Sequence, residues 1–201
     1  MKKRIVLIIC LIVAILGIVF GSYLLIGKYK EAHKTDAIKF SEEYTQVPQD
    51  NIFVYKSVDD IIKILEHGTG IVYLGFPECP WCQRYAVYLN EVAKANGASC
   101  IYYYNIADDR KNNTDNYQKI IKLLSGNLQY DQEGNERIYV PDVSFVLNGK
   151  IVAHDNETSL DTKGYKTPDE YWNDDAVSNL KNRLAKYTQS VCSTACTTCN
   201  E

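Results

Sequence analysis

Several features that would identify a common class of protein are missing from this chain. It has no phosphate-binding glycine motif and no low-complexity repeat, so nothing supports nucleotide chemistry. It has only three histidines, His33, His67 and His154, whose spacing does not match that of metal ligands, so we interpret each as a surface residue. It also has no excess of positive charge, because 22 Lys and Arg residues face 25 Asp and Glu residues. The resulting net charge of −3 argues against a nucleic-acid partner.

The first part of the chain is dominated by one long apolar segment. Residues 5–26 form an almost unbroken apolar run, roughly 22 residues long, which is enough to cross a lipid bilayer as a helix. The run follows three basic residues at positions 2–4, which favours a cytoplasmic N-terminus. A cleaved secretory signal is the alternative, but its apolar region is usually only about 7–15 residues long. We therefore expect residues 1–27 to be an uncleaved, single-pass membrane anchor, with the rest of the chain outside the cytoplasm.

The remaining sequence divides into three parts. Residues 28–50 are charged and polar and are predicted to form a juxtamembrane stalk, whereas residues 51–188 have the apolar patterns of a folded domain. Residues 189–201 form a tail with cysteines among small polar residues. Beyond the basic residues at positions 2–4, 19 of the 22 basic residues face 25 acidic ones, a net charge of −6. The many Lys, Asn, Ile and Tyr residues are compatible with an AT-rich bacterial genome.

The apolar pattern of the domain predicts an α/β fold. The predicted strands are 52–55, 71–76, 99–106, 142–147 and 150–154, and the predicted helices are 58–66, 80–96, 115–124 and a last helix from Pro168. The Asn148-Gly149 pair between the last two strands is a strong hairpin signal. The expected order is therefore βαβαβα, followed by an antiparallel hairpin and a final helix that covers the sheet.

The chemistry of the chain is indicated by the motif Cys79-Pro80-Trp81-Cys82, which follows a predicted strand and begins a predicted helix. A thiol at a helix N-terminus faces unpaired N–H groups, which favour the reactive thiolate. Cys79 is therefore the candidate nucleophile and Cys82 the candidate resolving thiol. Pro80 suits the first helical turn because it has no N–H to leave unpaired. We expect Trp81 to contact the substrate through its apolar ring, the alternative being that it only covers the thiols from solvent.

The order of elements and two motifs together resemble the thioredoxin-like superfamily over roughly residues 51–187. The motifs are the Cys-x-x-Cys at 79–82 and the Val140-Pro141 pair immediately before the hairpin. The resemblance implies a thioredoxin-like fold with a central mixed sheet flanked by helices. It also implies a cis Val140–Pro141 bond beside the reactive cysteines, where the backbone binds an extended substrate segment.

The sequence departs from the pattern of that family at Tyr73, and it does not settle the role of Glu78. Many thioredoxins have a buried aspartate six residues before the first cysteine, whereas this chain has Tyr73, so the proton-relay role of the aspartate does not transfer. Glu78, next to Cys79, would raise the pKa of the thiol if their charges approach, but a solvated carboxylate is the simpler interpretation. The anchored, exported arrangement is also similar to the thioredoxin-like accessory proteins of bacterial bacteriocin export.

Four further cysteines, Cys100, Cys192, Cys196 and Cys199, lie in the predicted exported part. Disulfide pairing within the tail or with Cys100 is one interpretation, and a redox relay to Cys79 and Cys82 is another. Metal ligation by the tail together with the Cys-x-x-Cys motif is the third. Spacing alone does not decide among them.

The sequence thus predicts a membrane-anchored, extracytoplasmic thiol-disulfide oxidoreductase. Its substrates would be protein or peptide thiols and disulfides outside the cytoplasm, and a membrane redox partner is one option for its electron supply. The reaction needs no cofactor and no metal, and its direction is open. The alternatives are a non-catalytic adaptor for an exported peptide or its export machinery, with a structural disulfide at Cys79 and Cys82, and a zinc-dependent module.

Overall fold

The computed structural model describes residues 16–17, 19–22, 34–156 and 164–195. The chain separates into two compact units, Met1–Thr35 and Asp36–Glu201. In the first unit, residues 16–17 and 19–22 are helical. Among the described residues, no helix combines the length and the apolar character needed to span a membrane. Most of the predicted anchor at 1–27 lies outside the described residues.

The second unit consists of helices and strands. The helices are α1 (Asp36–Glu43), α2 (Val58–His67), α3 (Pro80–Ala95), α4 (Ala107–Asn112), α5 (Asp115–Leu124), α6 (Pro168–Tyr171) and α7 (Asp174–Ala195). The strands are β1 (Phe53–Tyr55), β2 (Gly70–Gly75), β3 (Ile101–Asn105), β4 (Gln129–Tyr130), β5 (Glu136–Arg137), β6 (Asp142–Leu147) and β7 (Lys150–Asp155). The five predicted strands and the first three predicted helices are confirmed, with small differences at their ends. The predicted last helix is present as two helices, α6 and α7.

Five strands form a central mixed sheet in the order β1-β3-β2-β6-β7, flanked by helices. β1 and β2 run parallel to β3, whereas β6 is antiparallel to β2 and β7 is antiparallel to β6. The predicted hairpin turn joins β6 and β7, and its two residues, Asn148 and Gly149, both have positive φ angles, 50° and 72°. A Cβ at Gly149 would lie 2.1 Å from the carbonyl oxygen of Glu66, so only glycine fits there.

The central strand β2 is buried on both faces. Because successive side chains of a strand point to opposite faces, Ile71 and Tyr73 belong to one apolar cluster and Val72 and Leu74 to the other. Helices α1, α3 and α7 contribute to the first cluster, and α2 and α5 contribute to the second. This explains the continuous apolar run in the sequence, since a strand covered on both faces does not alternate with polar residues.

The segment predicted as a stalk, 28–50, is in part a folded element, and the prediction is wrong from Asp36 onwards. Helix α1 occupies this region, and the ring of Phe40 is fully buried. It stacks on the ring of Phe53 with centroids 3.8 Å apart and on that of Tyr44 at 4.2 Å. Aromatic packing against the edge strand β1 therefore holds α1 on the domain. Residues 28–33 lie outside the described residues.

The predicted boundary between domain and tail at residue 188 also needs correction. Helix α7 continues to Ala195, and the side chain of Val191 is buried in the first apolar cluster. The beginning of the predicted tail thus packs on the domain. Cys196 and Cys199 lie outside the described residues. The short strands β4 and β5, which pair with each other, and helix α4 were not predicted.

Candidate active site

The Cys-x-x-Cys motif lies where the buried strand β2 leads into α3. Cys79 is the N-cap residue of that helix, with extended backbone angles of φ −85° and ψ 111°. Its sulfur accepts the backbone N–H of Cys82 at 3.1 Å. Pro80 occupies the start of the helix, as predicted, and is exposed. The sequence therefore places one sulfur directly against the unpaired N–H groups of a helix N-terminus.

The surroundings of Cys79 lower its pKa. The largest contribution is a hydrogen bond from the thiol of Cys82, and the backbone N–H groups of Cys82 and Trp81 add to it. The positive charge of Arg110, whose guanidinium lies 4.8 Å from the ring centre of Phe76, acts in the same direction. Burial opposes these effects, since 7% of Cys79 is exposed. The net result favours the thiolate, which is the nucleophilic form.

Cys82 lies in the opposite environment. It is fully buried, and burial raises its pKa well above the ordinary value. The hydrogen bond that it shares with Cys79, and the charge of that residue, raise the pKa further. Cys79 and Cys82 are both thiols in this structure. The pair therefore consists of one sulfur that ionises readily and one that keeps its proton.

The second sequence motif meets the first at the sulfur of Cys79. The Val140–Pro141 peptide bond is cis, as the resemblance implied. The thiol of Cys79 lies 3.9 Å from the carbonyl oxygen of Val140 and donates to it, although 61 positions separate the two residues. Pro141 is buried, whereas Val140 is partly exposed. A chain segment bound at Val140 would thus lie beside the sulfur of Cys79.

The remaining predicted site residues lie at the surface around Cys79. Trp81 is partly exposed and makes an edge-to-face contact with Tyr171 of α6, with ring centroids 5.5 Å apart. Tyr171 also contacts Tyr165 at 5.8 Å, which extends this aromatic surface. Glu78 is exposed, in line with a solvated carboxylate. Part of the Trp81 ring thus stays exposed next to Cys79.

The loop between β2 and Cys79 is held by Gln83, a residue that the sequence did not single out. The side-chain amide of Gln83 donates to the carbonyl oxygen of Pro77 at 2.8 Å and to that of Glu43 at 2.7 Å. The first bond fixes the loop, and the second connects it to the last residue of α1. Helix α1 therefore takes part in positioning the site.

A buried ion pair lies directly after the cis proline. Asp142 is fully buried, and its Oδ2 lies 3.0 Å from Nε2 of His154. The prediction that His154 is a surface residue is therefore wrong, since only 8% of its side chain is exposed. Burial alone would lower the pKa of His154, but the charge and hydrogen bond of Asp142 outweigh it, and the pKa is raised. His67 is exposed as predicted, and His33 lies outside the described residues.

Three fully buried tyrosines, Tyr44, Tyr73 and Tyr103, bring their hydroxyl groups close to the Cys82 side of the motif. Tyr73 donates to the carbonyl oxygen of Cys82 at 3.1 Å, and Tyr44 donates to the hydroxyl of Tyr103 at 3.3 Å. The sequence indicated only Tyr73, as the residue at the position where many thioredoxins have an aspartate. The other two are brought in by α1 and β3.

The remaining cysteines do not join this site within the described residues. Cys100 is disulfide-bonded, and neither Cys79 nor Cys82 is its partner, because both are thiols. Cys192 is partly exposed on α7. In the part of the chain that the structure describes, no group of three or more His, Cys, Asp or Glu residues is placed to hold a metal ion.

The chain matches no protein-family model, and comparison with curated proteins and with solved structures gave no match either. The features that point to a function are the two motifs at 79–82 and 140–141, which meet at the sulfur of Cys79.

Proposed function

We propose that this chain is a thioredoxin-like thiol-disulfide oxidoreductase, with Cys79 as its nucleophile and Cys82 as its resolving thiol. The main support is the difference between the two sulfurs. The sulfur of Cys79 accepts an N–H group at 3.1 Å at a helix N-terminus, whereas Cys82 is fully buried. A cysteine pair that serves only as a structural disulfide has no need of this difference, because neither sulfur has to ionise.

The fold supports the same proposal. Helix α3 begins one short loop after the central strand of a mixed sheet, and the two cysteines lie at the N-terminus of that helix. The cis Val140–Pro141 bond precedes an antiparallel strand and lies against Cys79. Both features are what the resemblance to the thioredoxin-like superfamily implies.

The first step of the reaction belongs to Cys79. Its thiolate attacks one sulfur of a substrate disulfide and forms a mixed disulfide. The substrate's other sulfur leaves with the electron pair of the broken bond and takes up a proton. Because the pKa of Cys79 is lowered, a larger fraction of the protein is in the reactive form near neutral pH.

The second step belongs to Cys82. Its thiol loses a proton and its sulfur attacks the sulfur of Cys79, which releases the remaining substrate sulfur as a thiol and leaves a Cys79–Cys82 disulfide. Two electrons have then passed from the cysteine pair to the substrate. The reverse sequence of steps oxidises a substrate dithiol.

The substrate class is a protein or peptide, bound beside Val140 and against the open face of Trp81. An extended segment next to the Val140 carbonyl places a substrate sulfur close to Cys79, which lies 3.9 Å from that oxygen. Anchorage through residues 1–27 would place this site outside the cytoplasm, where disulfides of exported chains form.

The reduction potential of the Cys79–Cys82 pair decides the direction of electron flow. A potential of about −120 to −180 mV would indicate an oxidase or isomerase, and one near −270 mV a reductant with an electron supply from a membrane partner. A pair that resists reduction below about −300 mV would support the adaptor hypothesis instead.

The proposal is tested by reduction of insulin disulfides with dithiothreitol as the electron source. Cys79→Ser should abolish catalysis. Reduced Cys82→Ser, mixed with insulin after the dithiothreitol has been removed, should accumulate a mixed disulfide between Cys79 and insulin, detectable by mass spectrometry. Cys192→Ser is the matched cysteine control and should retain the wild-type rate. An unchanged rate in Cys79→Ser would refute the proposal.

A further inference from the structure

The segment that carries Val140 and Pro141 is held by the sheet at one end only. Residues 138–141, all of them in the described part of the chain, belong to no strand, and β6 begins at Asp142. Strand hydrogen bonds therefore fix this segment from Asp142 onwards but not before it. Its position matters for the reaction because the carbonyl oxygen of Val140 lies 3.9 Å from the sulfur of Cys79.

The side-chain amide of Asn156 holds the other end of the segment. Its Nδ2 donates to the carbonyl oxygen of Tyr139 at 2.5 Å and lies 3.5 Å from Oδ2 of Asp142. Both neighbours are acceptors, so the nitrogen of the amide, and not its oxygen, has to face them. Because Tyr139 precedes Val140 and Asp142 follows Pro141, one amide group spans the whole motif.

The register of the sheet brings Asn156 to this place. Asp155, the last residue of β7, pairs with Val143 of β6, so Asn156 follows at the level of Asp142. His154, two residues earlier, lies 3.0 Å from the same carboxylate oxygen of Asp142. The end of β7 therefore provides both contacts, and a register shift of one residue would remove them.

The burial of Asn156 indicates that its amide has a specific task. Only 7% of the residue is exposed, and a buried amide costs free energy to desolvate unless it is hydrogen-bonded. An apolar side chain would fill the same space without that cost. Gln83 has a comparable position on the other loop, where its amide donates to the carbonyl oxygen of Pro77. A side-chain amide thus holds each of the two segments that meet at Cys79.

We propose that Asn156 is a positioning residue for polypeptide substrates. It holds the carbonyl of Tyr139 and thereby keeps the backbone at Val140 in the conformation to which a substrate segment binds. The inference rests on the proposed function and deepens it, since it assigns a residue of β7's end to substrate binding. Asn156 acts through the Val140 segment, so the reactivity of the Cys79 thiol toward a small disulfide should not depend on it.

Two disulfides with the same leaving group separate substrate binding from thiol reactivity. One is 5,5′-dithiobis(2-nitrobenzoate), and the other is a short, unstructured peptide whose single cysteine is joined to 2-nitro-5-thiobenzoate. In both reactions the Cys79 thiolate attacks a sulfur, and the coloured thiolate leaves with the electron pair of the broken bond. The concentration-dependent phase, measured with the reduced, full-length chain, gives a second-order rate constant for each disulfide. The rate of Cys79→Ser gives the contribution of the other thiols and is subtracted.

Asn156→Ala should slow the reaction with the peptide roughly tenfold, because the backbone at Val140 is no longer held in its binding conformation. The reaction with 5,5′-dithiobis(2-nitrobenzoate) should keep its wild-type rate. Asn90→Ala is the matched control. It removes a buried amide, 3% exposed, whose oxygen accepts the backbone N–H of Ile52 at 3.1 Å, and it should alter neither rate constant.

An unchanged peptide rate constant in Asn156→Ala, or one that falls in the same proportion as that of the small disulfide, would overturn the inference and leave the proposed function standing. Release of the coloured thiolate at the wild-type rate by Cys79→Ser would overturn the proposed function itself. If Asn156→Ala does not fold, Asn156→Ser takes its place, because a single hydroxyl donates to only one of the two acceptors. It should also slow the peptide reaction selectively, and an unaltered ratio of the two rate constants would again overturn the inference.

Discussion

Nε2 of His154 lies 3.0 Å from Oδ2 of Asp142, and the two side chains form a buried ion pair immediately after the cis proline. The histidine comes from β7 and the aspartate from β6, which are hydrogen-bonded neighbours in the sheet. Asp142 directly follows Pro141 in the chain, so the ion pair lies next to the candidate substrate site. The protonation state of His154 should therefore matter for the fold around this site.

Protonation of His154 should stabilise the fold. Because its pKa is higher in the folded than in the unfolded state, the stabilisation is fully present below the unfolded pKa of about 6.5 and is lost as the pH rises through the folded pKa. The urea concentration at the midpoint of unfolding should therefore depend less on pH in His154→Gln than in the wild-type protein. His67→Gln, at an exposed site, is the control and should keep it. Identical pH profiles for wild type and His154→Gln would contradict this prediction.

The thiol of Cys82 should control the reactivity of Cys79. It provides the largest contribution to the lowered pKa of Cys79, so Cys82→Ala should move the pH midpoint for alkylation of Cys79 upwards. Cys82→Ser, whose hydroxyl also donates, should shift the midpoint less. Mass spectrometry of the peptide that contains Cys79, after pulses of iodoacetamide at several pH values, measures both. A midpoint that is the same in all three proteins would rule out this contribution.

Phe40 should be essential for the stability of the second unit, although it lies in a segment with few apolar residues. Its fully buried ring stacks between Phe53 and Tyr44, so Phe40→Ala should lower the free energy of unfolding by about 3–5 kcal/mol. Chemical denaturation measures the loss. Thr45→Ala, at an exposed position just after α1, should change it by less than about 0.5 kcal/mol. A loss as small for Phe40→Ala would mean that α1 does not belong to the core.

Trp81 should affect the rate of reaction with protein substrates more than the rate with small disulfide reagents. Its partly exposed ring packs against Tyr171 and offers apolar surface beside Cys79, so Trp81→Ala should slow insulin reduction several-fold. The reaction of Cys79 with 5,5′-dithiobis(2-nitrobenzoate) should change little, because a small reagent needs no such surface. Tyr130→Ala, 65% exposed on the β4–β5 hairpin, is the control. Equal slowing with both substrates would show that Trp81 affects the reactivity of the Cys79 thiol rather than the binding of a protein substrate.

The elements that bear the two motifs could be predicted because their signals are local. Strand β2 is one continuous apolar run, a proline marks the start of α3, and Asn148-Gly149 marks the β6–β7 turn. Helix α1 was missed because a single aromatic side chain, Phe40, provides most of its buried surface, and its partners lie on other elements.

The part of the site that the sequence did not predict is formed by contacts between residues that are far apart in the chain. The hydroxyls of Tyr44, Tyr73 and Tyr103 come from three separate parts of the chain, and no spacing in the sequence relates them. His154 meets Asp142 only because β7 pairs with β6 in one particular register. A lone histidine at a strand end has the same local sequence whether it is exposed or buried, so the surface interpretation failed.

The two hydrogen bonds of the Gln83 amide determine where a shortened form of this protein should begin. One acceptor is the Pro77 carbonyl in the loop before Cys79, and the other is the Glu43 carbonyl at the end of α1. A fragment that starts at Asn51, where the sequence suggests that the domain begins, would discard the second acceptor together with the ring of Phe40. Assays and crystals of such a fragment would describe a loosened loop next to Cys79, so the first residue retained should be no later than Asp36.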